Sequence, residues 1–110
     1  MIRWYMFATL CFGLIPTTAQ AAGTTGSYTI ESVQVRDNRI WINLASDLNS
    51  NETSCGDRSK VEISNTNPNK DAFVKVALSA VLAGKQVRFT TTDTCSNVNV
   101  DLVSAIIFPG

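Results

Sequence analysis

The apolar residues of this chain follow two spacings. Beyond residue 26 most of them alternate with polar ones in short runs, as half-buried strands do, and only residues 67–84 switch to a helical spacing. The helical segment carries its own start and stop signals. Asn67 stands where an N-cap is wanted, and Pro68 follows at the first helical position, where its missing donor costs nothing. Gly84 falls where a left-handed residue ends a helix. At about 100° per residue, Phe73, Val76, Ala77, Ala80 and Val81 share one arc suited to packing on a sheet. Val74, Leu78 and Leu82 form a second apolar arc, and Asp71, Lys75 and Ser79 leave only a narrow polar strip. Either loops of the same chain cover the second arc or another copy of the protein does.

The strand runs predict the rest. In residues 27–36, Tyr28 and Ile30 share one phase and Val33 and Val35 the other, which predicts a bulge or bend near Glu31 and Ser32. Asp37 and Asn38 read as a two-residue hairpin turn, so Val35 faces Ile40 and Val33 faces Ile42, while Gln34 and Trp41 share the opposite face. Trp41 either sits in a second small apolar cluster or serves as an interface or ligand-stacking residue. Residues 46–60 are polar and rich in turn formers, a loop anchored by Cys55, and they contain the glycosylation-like triplet Asn51-Glu52-Thr53. Val61 and Ile63 mark a short third strand. After the helix, residues 85–92 place Val87 and Phe89 inward, Cys95 lies in a turn, and residues 98–108 form a last strand that is apolar on both faces. The order β-β-β-α-β-β is that of a small β-barrel with one helix, OB-like, with an open antiparallel α+β sheet carrying one helix as the alternative.

Composition narrows the setting. Residues 1–21 read as a cleaved signal peptide: a short positive start, an apolar core from Trp4 to Ile15, then Pro16 and the small-residue site Ala19-Gln20-Ala21. Residues 22–110 then form one small domain, exported to the periplasm or secreted. Of three cysteines, Cys11 leaves with the leader, and Cys55 and Cys95 predict a single disulfide. Closing a loop of roughly 40 residues, it is worth about 4 kcal/mol in the chain-entropy model. Two lone thiolates cannot complete a zinc site, so no metal is expected. Lys plus Arg and Asp plus Glu both number 9, and loss of Arg3 with the leader makes the remainder slightly acidic. That argues against nucleic acid as a partner, and the lack of a basic amphipathic helix argues against membrane insertion or surface binding.

Several features in order resemble the subtilase-cytotoxin B-subunit-like family of small exported bacterial proteins. They are Gly26 leading into the first strand, the hairpin, Cys55 after the second strand, the alanine-rich helix ending in Ala83-Gly84-Lys85-Gln86-Val87-Arg88-Phe89, then Cys95 and a final apolar strand. The resemblance implies a pentamer in which helices line a central pore, with Asp71, Lys75 and Ser79 facing the pore and Val74, Leu78 and Leu82 at the subunit interface. It also implies a glycan pocket near the start of the first strand, to which Thr24, Thr25 and Ser27 belong, and an A-type partner subunit.

Chemistry of other kinds is missing from the sequence. With no histidine, no histidine-based triad or dyad forms, and no cofactor-binding glycine loop or nucleophile motif occurs. The carboxylates are scattered. Asp93, in the hydroxyl-rich run 90–94, and Trp41 add to the candidate sugar contacts. The expectation is therefore a non-catalytic, homo-oligomeric toxin-B-subunit-like module that recognises a cell-surface glycan. The alternative is a periplasmic or secreted structural or inhibitor protein acting by protein–protein contact.

Overall fold

The structure, a computed structural model, describes residues 23–110. The leader expected over residues 1–21 lies outside the described residues. Six strands and one helix follow in the order β1 (Gly23–Thr24), β2 (Ile30–Arg36), β3 (Arg39–Leu44), β4 (Asp57–Ile63), α1 (Lys70–Ala83), β5 (Arg88–Cys95) and β6 (Val100–Ile107). They form one mixed sheet in the order β1-β5-β6-β4-β3-β2, antiparallel except for the β4–β6 pair. That parallel pairing needs a crossover, which α1 and β5 supply.

The β2–β3 hairpin follows from its turn. Asp37 and Asn38 both take positive φ, 50° and 63°, the twisted two-residue turn that matches the right-handed twist of the strands. The register is the one the alternation predicts: Val33 opposite Ile42, Gln34 opposite Trp41, Val35 opposite Ile40. The ladder slips between Ile30 and Ser32, so the phase change in the sequence is a real bulge. β3 then alternates strictly, with Ile40, Ile42 and Leu44 buried and Arg39, Trp41 and Asn43 half-buried on the other face. Val35 departs from the expected inward face and is 70% exposed beside α1.

The segment just before β2 pairs elsewhere. Gly23 and Thr24 pair with Thr91 and Thr90, and Tyr28 bridges to Val87 through two backbone hydrogen bonds of 2.8 and 2.9 Å. One stretch of chain therefore lies along β5 up to Tyr28 and along β3 from Ile30 onward. The sheet does not close as a continuous ladder, so the architecture is a six-stranded mixed sheet with one helix and one disulfide. The open-sheet alternative fits it, except that one strand pair is parallel.

Three local expectations are corrected. Residues 57–60 are strand rather than loop. The backbone of β4 finds partners on both sides, Lys60 opposite Asn43 and Asp57 opposite Val100, and this ladder overrides the polar composition. The helix starts at Lys70, with Asn69 at the cap position and no side-chain cap bond. Asn67 instead turns its Oδ1 onto the Asn69 N–H at 2.8 Å, an Asx turn that holds Pro68 outside the helix. Cys95 ends β5 rather than lying in a turn. The other end of the helix is as the sequence predicts. Gly84 is left-handed at φ 66°, its N–H bonds back to Val81, and Lys85 N bonds to Ala80 O at 3.0 Å, a Schellman closure.

α1 packs on β2 and β6. Ala77 and Ala80 are fully buried, with Phe73 and Val74 flanking them against the core. The small alanines bring the helix close to the sheet along a narrow line. Val81, expected in the core, is consequently exposed, and so are Leu78 and Leu82. The centre of the core is Ile42, Val61, Ile63, Val87 and Phe89, all with no exposed surface, closed at one side by Leu48 from the long loop. Cys55 and Cys95 are bonded and span 40 residues, tying the end of that loop to the end of β5.

Candidate functional site

Register places a group of polar side chains around one aromatic on the outer face of β2, β3 and β4. Trp41 lies opposite Gln34 on one side and Glu62 on the other. Its indole Nε1 donates to Glu62 Oε1 at 2.8 Å. The Arg39 guanidinium lies 3.4 Å from Glu62 Oε2, and Lys60 Nζ sits 5.1 Å from the centre of the indole ring. Asn43 Nδ2 donates to Ser32 Oγ at 3.0 Å and to Gln34 Oε1 at 3.3 Å. The Glu62 side chain is only 8% exposed, so this is a carboxylate held nearly out of water by an indole N–H and a guanidinium. The indole bond, donated to a charged acceptor, is short and fixes the ring against the carboxylate, whereas the guanidinium contacts at 3.4 and 3.5 Å are long. Trp41 thus has Gln34, Lys60 and Glu62 as polar neighbours.

Beside Glu62 a polar groove of about 340 Å³ opens between the β2–β3 turn and the β5–β6 turn. Asn38, Arg39, Glu62, Asn65, Ser96 and Asn97 line it, close to the disulfide. A second groove, about 490 Å³, runs between the hairpin and the first half of α1, with Val35, Ile40 and Val74 as its apolar side and Lys70, Asp71 and Lys75 along it. Comparison with protein-family models, curated proteins and solved structures finds no match to this chain.

The other expected sugar contacts lie along β5. Thr24 is exposed opposite Thr90, and Ser27 is exposed just before Tyr28. Thr25 is 2% exposed and its hydroxyl is engaged within the fold, accepting from Phe89 N at 3.1 Å and donating to Gly26 O at 2.7 Å. Of the three it presents least to a ligand. Asp93, at positive φ of 59°, accepts from the Ser54 backbone N–H at 3.1 Å and from its hydroxyl. Thr24, Thr25, Ser27 and Asp93 therefore share the β5 neighbourhood, whereas Trp41 belongs to the β2–β3–β4 face.

On α1, Val74 packs on the core and borders the larger groove, while Leu78 is 46% and Leu82 88% exposed. Asp71 and Lys75 are exposed beside the same groove. Ser79 is exposed too, with its hydroxyl donating back to Lys75 O at 2.8 Å.

Two networks that the sequence did not announce hold the first strand and the long loop. Glu52 accepts from Tyr28 Oη, from Gly26 N at 2.7 Å and from Asn49 N at 3.1 Å. Burial alone would push its carboxyl up, but these donors together hold it below the usual carboxylate range. Tyr28 is pushed up, first by burial and then by its bond to Glu52. Asp101, fully buried, accepts from Thr53 Oγ1 at 2.7 Å and from Thr92 N at 3.2 Å, and burial pushes its carboxyl up despite those bonds. The triplet at 51–53 is thus a structural staple: Glu52 grips the first strand and Thr53 grips β6. Asp57 is held low by its Ser59 hydrogen bonds and by Lys60 at 3.2 Å.

Among the described residues no group of three or more His, Cys, Asp or Glu side chains is gathered to hold a metal ion. No helix among them is long and apolar enough to cross a membrane.

Proposed function

We propose that this chain is an exported, non-catalytic binding module of the toxin-B-subunit type, assembling with copies of itself and recognising a cell-surface glycan. The observation that carries the reading is the outer face of β3 and β4. There a half-buried indole lies beneath a lysine, and the neighbouring carboxylate is matched by an arginine. Such a surface presents polar groups held in fixed positions around an indole, which suits recognition of a ligand rich in hydroxyls. The path of the first strand supports an OB-like barrel as the finer description of the fold. Its early part pairs with β5 and its later part with β3, so one bent strand joins the two edges of the sheet. Self-assembly is supported by Leu78, Val81 and Leu82, an apolar ridge on α1 that its own fold leaves in water. In the pentamer implied by the family resemblance this ridge meets a neighbour, Asp71, Lys75 and Ser79 face the pore, and an A-type subunit docks on the ring. The Cys55–Cys95 disulfide suits a periplasmic or extracellular setting.

Light scattering on the exported chain tests the assembly, and a glycan array tests the ligand. A clean monomer removes the self-assembly half of the reading, and an array without a binder removes the glycan half. The Trp41 face also favours a second reading, a protein that binds another protein, since tryptophan and arginine beside a desolvated ion pair are common anchors of such contacts. An empty array together with one co-purifying protein partner points to that reading.

A further inference from the structure

We infer that two copies of this chain pack antiparallel through one side of α1, so that the apolar ridge at the end of each helix fills the groove at the start of the other. This rests on the self-assembly reading above. It goes beyond it by naming the surface that the ridge meets and a two-fold contact in place of the ring implied by the resemblance.

At about 100° per residue, Val74, Leu78, Val81 and Leu82 lie along one side of α1. The two halves of that side differ in shape. In the second half Leu78 and Leu82 stand out, 46% and 88% exposed. In the first half the side borders the groove of about 490 Å³, where Val74 meets Val35 and Ile40 of the hairpin. Val35 pairs with the buried Ile40 on the core side of β2 and β3, yet it is 70% exposed, so the chain itself leaves this row uncovered. Ridge and groove therefore lie on one line, with Val74 and Leu82 about 12 Å apart along the helix. An antiparallel pair with its axis at Leu78 sets each Leu82 against Val74 and Val35 of the partner subunit, and the contact closes at two copies. A small apolar ligand in the groove leaves Leu82 in water, whereas a second copy covers ridge and groove together.

The same register matches charge. Asp71 and Lys85 stand at equal distances on either side of Leu78, both exposed and neither in an ion pair among the described residues. Each Asp71 then comes opposite Lys85 of the partner subunit. Lys75 comes beside the last turn of the partner helix, whose carbonyl ends carry negative partial charge and which has no basic residue of its own. A parallel two-fold pair instead brings like residues together, Asp71 against Asp71 and Lys75 against Lys75, and is disfavoured.

Sedimentation equilibrium on the exported chain gives the copy number, expected to be two. Val35→Asp changes an exposed side chain and is expected to weaken association about a hundredfold, through the loss of two valine contacts per pair of copies. Asp71→Lys and Lys85→Asp are each expected to weaken it about five- to tenfold, and the Asp71→Lys/Lys85→Asp double variant to restore the parent's affinity. Circular dichroism checks that each variant folds, and the charge exchange carries the test if Val35→Asp does not. An assembly of any number other than two, a folded Val35→Asp variant that associates as the parent does, or a double variant that is not rescued overturns the two-fold contact and leaves self-assembly standing. A monomer at every concentration removes self-assembly and this inference together.

Discussion

Replacing Glu52 with glutamine tests how the first strand is held. The carboxylate uses both oxygens, Oε1 for Tyr28 Oη and Asn49 N and Oε2 for Gly26 N. An amide has one acceptor oxygen. With that oxygen in the Oε1 position, its NH2 faces the Gly26 N–H, so one bond is lost and two donors oppose each other. The surviving bonds also fall from charged to neutral strength. Hydrogen bonds to a charged group contribute about 1.5–3 kcal/mol and neutral ones about 0.5–1.5 kcal/mol. The site is half-exposed and water relieves part of the loss, so we expect about 1–2 kcal/mol in total. For a domain of this size that is a drop of roughly 5–12 °C in melting temperature. The pH dependence has a definite sign. Because the folded-state pKa of Glu52 lies below the unfolded value, its contribution is present above the unfolded pKa and is lost as pH falls through the folded one. Urea unfolding at pH 7 and at a series of lower pH values should show the parent losing stability below the ordinary carboxylate range, and Glu52→Gln losing less. Equal midpoints for the two proteins at pH 7, with parallel acid limbs, refute the reasoning.

Asp101→Asn carries the opposite sign. Burial raises the folded-state pKa of Asp101, so its contribution is present below the unfolded pKa and is lost as pH rises through the folded one; the variant should show a steeper acid limb than the parent in the same urea series. Leu82→Glu changes a side chain that is 88% exposed, so the protomer's stability should move by no more than about 0.5 kcal/mol while light scattering shows a smaller assembly. An unchanged assembly refutes the role given to the α1 ridge. Replacing Cys55 and Cys95 together by alanine opens a 40-residue loop, and chemical denaturation should show a loss of about 2–4 kcal/mol.

Local signals in the sequence were reliable where two neighbouring residues decide the geometry. Asp37-Asn38 set the hairpin register, the phase change at Glu31-Ser32 marked the bulge, and Gly84 ended the helix where a left-handed residue was needed. Val87 and Phe89 were legible as core for the same reason, since alternation alone assigns a face. Features that depend on distant chain were not legible. Residues 57–60 look like loop because nothing local shows that both edges of β4 will be paired. Glu62 was one more scattered acid until the register of β3 against β4 set it beside Trp41. The polar groove joins Asn38 to Asn97, two turn residues whose only signal is that asparagine favours turns. The helix start was misread because Asn67 had two uses, and the Asx turn competes with the cap.

The divided pairing of the first strand has a consequence for how the chain folds. Its later half meets a near neighbour, as in the contact of Ser32 with Asn43 across 11 residues, whereas its earlier half meets β5, as in the contact of Gly23 with Thr91 across 68. Closing the longer loop costs more chain entropy, so the hairpin is expected in the early nucleus and the seam along β5 is expected to form late. Substitutions at Asp37 or Asn38 then act mainly on the folding rate, and those at Thr25 mainly on the unfolding rate. The residues from Gly23 to Tyr28 would be the first part of the sheet to open and exchange their amide protons.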